Sequence, residues 1–290
     1  MRDPTNLADA IVIASVSGGK DSAAMCLYLK ERGIPFRAVF ADTGWEAKET
    51  YAYLRGPLTD AIGPIEEVGY PGGMEAIVTR KGMFPSRMRR FCTEELKMKP
   101  LQAYQQRVHD ETGKPIISAI GLRAAESLSR SKLAPIDGIT LKSKLEVTIW
   151  RPIIDKSEAW VIEMHQRHNL MPNPLYLAGA DRVGCWPCIH SRKSEIRLIA
   201  DRDPAQIDRI EALEAAASEA AAKRGAAPVS FFQSRLATEE GKFPCEPIRS
   251  VVEWSRTARG GRQYELFDSR DPDEGCTRWG MCEQPKAEEE

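Results

Sequence analysis

The run Ser17-Gly18-Gly19-Lys20-Asp21-Ser22 packs two glycines, an ammonium group, a carboxylate and two hydroxyls into six residues. That chemistry suits an oxyanion. Glycines let backbone N–H groups approach phosphate oxygens closely, and a helix beginning there aims its positive dipole end at the same anion. Lys20 adds a formal charge, and Ser17 and Ser22 add hydroxyl donors. The competing reading is a plain glycine turn, since short glycine motifs alone are weak evidence. The paired serines and the placement after a strand-like run favour phosphate. The four-residue spacer of a Walker A loop is missing, which argues against a kinase or GTPase.

Three further groups bear chemistry. Cys185 and Cys188 form a C-x-x-C around Trp186 and Pro187, a spacing that suits an iron–sulfur cluster or zinc. A thioredoxin-like pair is the third option, but it wants a helix start after a strand, and this pair follows a long loop. Asp42 and Thr43 end a strand-like run, where open α/β sheets place ligand contacts; capping the next helix is the competing role for Asp42. Arg123 and Arg130 follow another such run, and their forks suit phosphate or sulfate. The alternative there is a surface ion pair with Glu126. His109, His165, His168 and His190 show no metal-ligand spacing, and His165 with His168 fits a partly exposed helix face. Cys26 reads as an inert core thiol.

The elements that must hold these residues alternate strand and helix. Strands are expected at 11–16, 36–40, 65–68 and 115–120. Helices are expected at 22–32, 45–54, 94–112, 158–169 and 205–224, with Gly33 suited to a helix C-terminus. Residues 71–90, rich in Gly, Met and Arg, are expected to form an active-site loop, and Met171-Pro172-Asn173-Pro174 breaks the chain. The prediction is an α/β fold with a doubly wound, mostly parallel, Rossmann-like sheet. Residues 1–200 form its nucleotide-binding domain and 201–290 a mixed C-terminal extension.

Lys and Arg number 41 against 42 Asp and Glu, a net charge of −1, so nucleic acid would have to be held by a local patch rather than bulk charge. Arg80, Lys81, Arg87, Arg89 and Arg90 supply one candidate patch. Its competing reading is a solvated loop, or clamps for the nucleotide. No apolar run is long enough for a membrane span or signal segment, so a cytoplasmic protein with no membrane partner is expected. Seven cysteines in a chain of this length read as thiols or ligands rather than disulfide staples.

Several of these stretches together resemble the phosphoadenosine-phosphosulfate reductase family of N-type ATP pyrophosphatases. The resemblance is carried by the loop at 17–22, Phe40-Ala41-Asp42-Thr43-Gly44-Trp45-Glu46, Arg90-Phe91-Cys92-Thr93 with Leu96-Lys97 and Pro100-Leu101, and Gly121-Leu122-Arg123 with Glu126-Ser127 and Arg130. Trp150-Arg151-Pro152-Ile153, Asn173-Pro174-Leu175-Tyr176 and Gly184-Cys185-x-x-Cys188 continue it, over residues 10–195 in consistent order. The resemblance implies an adenine nucleotide-binding fold of the alpha-hydrolase type, with ATP on Ser17, Gly18, Gly19, Lys20, Asp21, Ser22, Asp42, Thr43, Gly121, Arg123 and Arg130. It assigns catalysis to Lys20, Asp21 and Arg123, with Mg²⁺ assisting. It also brings Cys92 to Cys185 and Cys188 and favours an iron–sulfur cluster over zinc, held by three protein ligands or by four; Cys276 and Cys282, outside the matched stretch, are the candidates for the fourth.

Family sulfonucleotide reductases use a Glu-Cys-Gly-like tail; Glu274-Gly275-Cys276 departs from it. The leading expectation is therefore an ATP-dependent sulfur transferase acting on an acceptor such as DNA or RNA. A sulfur donor protein, for example a cysteine desulfurase, would supply it. The alternatives are a sulfonucleotide reductase and a non-catalytic module that binds nucleotide and cluster.

Overall fold

A computed structural model describes residues 3–5, 7–233, 245–257 and 279. The chain runs β1 (Ile11–Val16), α1 (Lys20–Glu31), β2 (Phe36–Asp42), α2 (Lys48–Tyr53), α3 (Thr59–Ile62), β3 (Ile65–Gly69), α4 (Gly73–Lys81), α5 (Phe91–Thr93), α6 (Lys99–Thr112) and β4 (Ile116–Ile120). It continues through β5 (Ile136–Thr140), β6 (Glu146–Trp150), α7 (Glu158–Arg167), α8 (Pro174–Leu177), α9 (Lys193–Arg202), α10 (Pro204–Ala222), β7 (Phe232–Gln233), β8 (Cys245–Glu246) and α11 (Ile248–Ser255).

The main sheet has the order β3-β2-β1-β4-β6-β5, parallel throughout except for the β5–β6 hairpin. β1 lies at its centre, with Ala14 beside Ala38 on one side and Ala119 on the other. Helices cover both faces, so β1 is apolar without alternation. Val12, Ala14 and Val16 enter the core under α1 and α7, while Ile13 enters the one that holds Tyr104 and Val108 of α6. The sheet grows outward from β1 to β3, then β4 returns to the opposite side of β1. That reversal opens a crevice beyond the carboxyl ends of β1 and β4, the place where such sheets bind ligands.

Two helices widen into π turns, at Leu54–Leu58 and Glu94–Met98. Proline explains both. Pro57 lies inside the first and Pro100 just past the second, and a proline ring neither donates an N–H nor tolerates the carbonyl four residues back. Thr59 Oγ1 donates to the Leu54 carbonyl at 2.7 Å, giving that carbonyl a side-chain donor.

Two expectations are corrected here. Residues 71–90 are not one loop, because Gly73–Lys81 is helical and buries Met74, Ile77 and Val78 against α10. Glycines at both its ends, Gly72 and Gly82, have left-handed φ values of 74° and 52°, so they punctuate a helix rather than dissolve it. His165 is not exposed but fully buried where α7 packs on α1. The β5–β6 hairpin and α11 were not expected from the sequence, although Val147 and Ile149 alternate in β6 and Ile248, Val251 and Val252 keep helical spacing in α11. Among the described residues, no helix is long and apolar enough to cross a membrane.

Candidate functional site

The loop between β1 and α1 lies at the crevice. Gly18 has φ +71°, and a Cβ there would come within 2.8 Å of the Thr50 methyl, so glycine is required twice over. The Ser22 hydroxyl donates to the Gly19 carbonyl at 2.9 Å and accepts the Ser17 amide at 3.2 Å. Ser22 thus shapes the loop. Ser17 Oγ lies 3.3 Å from Ser22 Oγ. From the far side, Asn173 Nδ2 donates to the Gly18 carbonyl and to Thr50 Oγ1, both at 3.2 Å, while its Oδ1 caps α8. The segment that breaks the chain at 171–174 therefore braces the loop.

Lys20 is buried. Its amide donates to Tyr176 Oη at 3.2 Å, and its Nζ sits 4.9 Å from the centre of the same ring. Nζ also lies 3.4 Å from Glu158 and 4.0 Å from Asp21. His165 Nε2 contacts the Lys20 carbonyl at 3.1 Å. Burial depresses the His165 pKa, while the Lys20 and Leu170 carbonyls oppose that shift. Trp279 packs edge-on against His165 and tilted against Tyr176, and its carbonyl accepts Gln166 Nε2.

Across the crevice, a Cβ on Gly121 would sit 2.8 Å from the Asp21 carbonyl oxygen and from the Ser22 Cα. Only glycine lets the β4 turn approach the start of α1 so closely. The next turn carries Arg123, buried, whose Nε donates to the Asp21 carboxylate. Arg130, by contrast, pairs with Glu126 on the surface, the ion-pair arrangement weighed against the phosphate role.

The β2 end is organised by Glu46, a carboxylate that the sequence reading left without a role. It accepts Thr43 Oγ1 at 2.7 Å and the amides of Thr43 and Trp45 at 3.3 Å. Thr43 is fully buried, with its hydroxyl turned to Glu46. Asp42 Oδ1 accepts the Gly44 amide and the Tyr51 hydroxyl, both at 2.7 Å. Arg209 of α10 donates to the Gly44 carbonyl at 2.8 Å and lies 4.6 Å from the centre of the Trp45 ring.

This turn is tied directly to the cysteines. Glu46 and Cys185 form an antiparallel bridge, and the Trp186 amide donates to the Trp45 carbonyl at 2.7 Å. Cys92, Cys185 and Cys188 lie close together: the Cys188 thiolate opposes ionisation of Cys92, and those of Cys188 and Cys92 oppose ionisation of Cys185. Burial raises the Cys185 and Cys92 thiol pKa values, and Lys97 pulls Cys185 back. The Cys185 thiolate in turn raises the Lys97 pKa, with a smaller contribution from Glu46. Lys97 went unassigned in the sequence because lysines are common on helix surfaces; only folding turns it toward sulfur. Among the described residues, no three His, Cys, Asp or Glu side chains stand at metal-binding spacing. Three soft thiol donors drawn together beside an ammonium group nonetheless fit a thiolate-bound centre in kind. Cys276 and Cys282 lie outside the described residues. Cys26 is wholly buried and its thiol pKa is driven up by burial, as a core thiol should be.

Fold and loop together define an α/β protein of the PP-loop, adenine-nucleotide type. Residues 11–191 match the phosphoadenosine phosphosulfate reductase domain, and the chain belongs to that family. A 37.8 kDa protein in the gpa 5′ region of Escherichia phage 186 is 31% identical over 94% of this chain and 97% of its own. A protein of Methanocaldococcus jannaschii is 29% identical over 67% of this chain, which spans 39% of that protein. Among solved structures, phosphoadenylyl-sulfate reductase from Candida auris, in a phosphate complex, aligns at TM-score 0.44 and 19% identity. That alignment covers 60% of this chain and 81% of the other.

Proposed function

We propose that the chain is an ATP-dependent sulfur transferase. An acceptor oxygen attacks the α-phosphate of ATP, the bond to the β-phosphate breaks, and pyrophosphate leaves into the Ser17–Ser22 loop. A persulfide sulfur from a donor protein such as a cysteine desulfurase then displaces AMP from the activated acceptor. That leaves a disulfide between acceptor and donor, which a pair of thiols reduces to free the thiolated acceptor and the donor's cysteine while the two thiols become a disulfide. The amides of the loop, Lys20 and a Mg²⁺ ion brought with ATP stabilise the charge that develops on pyrophosphate. Arg123, fixed by Asp21, faces the same crevice from β4. The acceptor class is a nucleic acid.

The observation that carries this reading is the direct bridge between Glu46 and Cys185. It joins the strand end beside the nucleotide crevice to the thiols, so activation and sulfur chemistry share one wall. An iron–sulfur cluster would be held by Cys92, Cys185 and Cys188 with a tail cysteine, zinc being the alternative. It would supply a site for a sulfur ligand. Lys97 would offset the negative charge of the thiolates.

Pyrophosphate release from ATP is the test. Release should require DNA or RNA and should vanish in Lys20→Ala. Release from ATP with neither nucleic acid present defeats the transferase reading. Iron and acid-labile sulfide in anaerobically purified protein, lost in Cys185→Ala, separate a cluster from zinc. The family match favours a second reading, sulfonucleotide reduction, whose signature is sulfite released from adenylyl sulfate with a thiol donor.

A further inference from the structure

An open cleft of about 520 Å³ separates the start of α6 from the β5–β6 hairpin. Arg90, Thr93, Met98 and Lys99 line one side, and Leu141 and Lys142 the other. Thr93 adjoins Cys92, so the cleft begins one residue from the thiols. The loop leading into it exposes Arg87, Met88 and Arg89. Cations from the 87–90 loop, the start of α6 and the hairpin thus meet along one cleft.

Their partners are few. Among the described residues, Arg87, Arg89 and Lys142 meet no carboxylate, and Arg90 reaches only Thr93 Oγ1 at 3.5 Å. Lys99 is held by Glu95 at 2.9 Å and lies 3.8 Å from Glu94, the one carboxylate in the cleft lining. In a chain of net charge −1, a local surplus of this kind is a feature of the surface and not of bulk composition. Like charges gathered without counter-ions repel one another and raise the local concentration of anions. Small ligands prefer enclosed, mostly apolar pockets; an open cleft with spaced cations suits a polymer. Met88, 92% exposed, and Met98, 48% exposed, set apolar surface between the charges, where sugars and bases can lie.

We propose that this cleft, with the Arg87–Arg90 loop, binds the phosphodiester backbone of a nucleic acid and leads it to Cys92, Cys185 and Cys188. The inference deepens the transferase reading, and rests on it for the purpose of binding.

Fluorescence anisotropy of a short labelled DNA or RNA oligonucleotide tests it, on the full chain. Arg87→Ala and Lys142→Ala, on opposite sides of the cleft, should each weaken binding several-fold. Each should also lower the slope of log Kd against log salt by about one. Neither residue touches the phosphate loop, so ATP affinity should stay as it was in both variants. The proposal is overturned by binding indifferent to both substitutions, or by a polyglutamate peptide that competes as well as the oligonucleotide. Pyrophosphate release that still requires a nucleic acid but is unchanged by both substitutions defeats the cleft alone. Oligonucleotide binding that obeys both substitutions in a protein unable to bind ATP supports the cleft and defeats the enzymatic reading.

Discussion

Lys20 is surrounded before any phosphate reaches it. The Glu158 carboxylate is 3.4 Å from its Nζ, Asp21 is 4.0 Å away, and the Tyr176 ring forms a floor. An arriving phosphate must compete with Glu158 for the ammonium group. Glu158 is about a third exposed, so water screens the pair and its strength is of order 1 kcal/mol or less. Glu158→Gln removes the competing charge and keeps the shape. Calorimetric titration should show pyrophosphate binding a few-fold more tightly to this variant. A weaker affinity would instead mean that the carboxylate assists binding, as a metal ligand does. Asp21 differs because Arg123 already engages it.

At the scale of elements, α7 transmits its packing to the loop through His165, whose Nε2 meets the Lys20 carbonyl and whose Nδ1 meets the Leu170 carbonyl. A neutral ring donates to only one of them, and burial still depresses the pKa below its ordinary 6.5. The unfolded chain therefore binds this proton more readily than the folded one. The contribution to stability is complete above pH 6.5 and is lost as pH falls through the lower, folded value. Thermal midpoints measured from pH 7 to 5 should fall more steeply for the wild type than for His165→Gln; parallel curves would show that the ring does not titrate on unfolding. Strands β1 to β4 and helices α1, α6, α7 and α10 were legible because their apolar residues are periodic and their ends carry glycine or proline. The phosphate loop was legible because its residue types have few other uses in that order. His165 was not, since a histidine at i with another at i+3 looks the same exposed or buried; only the packing of α7 on α1 decides. Glu46 and Lys97 escaped for a related reason. Charged residues on a turn and a helix usually face water; Lys97 is turned inward by Cys185, distant in sequence, and Glu46 by Thr43, Trp45 and Tyr51 once its own turn has closed. The hairpin at 136–150 escaped because β5 is a short edge strand interrupted by Gly138.

Across the whole molecule, α10 and α11, which follow residue 200, are built into the site's own core. Ile207, Ile210 and Leu213 of α10 pack in one cluster with Trp45, Ile77, Val78, Leu96 and Trp186. Gln206 adds a hydrogen bond at 2.5 Å to the Trp186 carbonyl, and Arg209 covers Trp45. Trp45 leads into the turn that holds Asp42, and Trp186 stands inside the C-x-x-C, so both halves of the site rest on α10. A fragment ending at residue 200 would expose those indoles, and it should not fold as a separate unit. Ile210 is fully buried, and Ile210→Ala should cost about 2–5 kcal/mol from lost burial and the cavity left behind. Because the cluster is shared, the loss should appear as a single denaturant transition moved to lower concentration, with tryptophan fluorescence and far-ultraviolet dichroism changing together. Two separated transitions, with ATP affinity untouched, would show that the extension folds apart from the site. Coincident transitions with weakened ATP binding would place α10 among the elements that set the shape of the crevice.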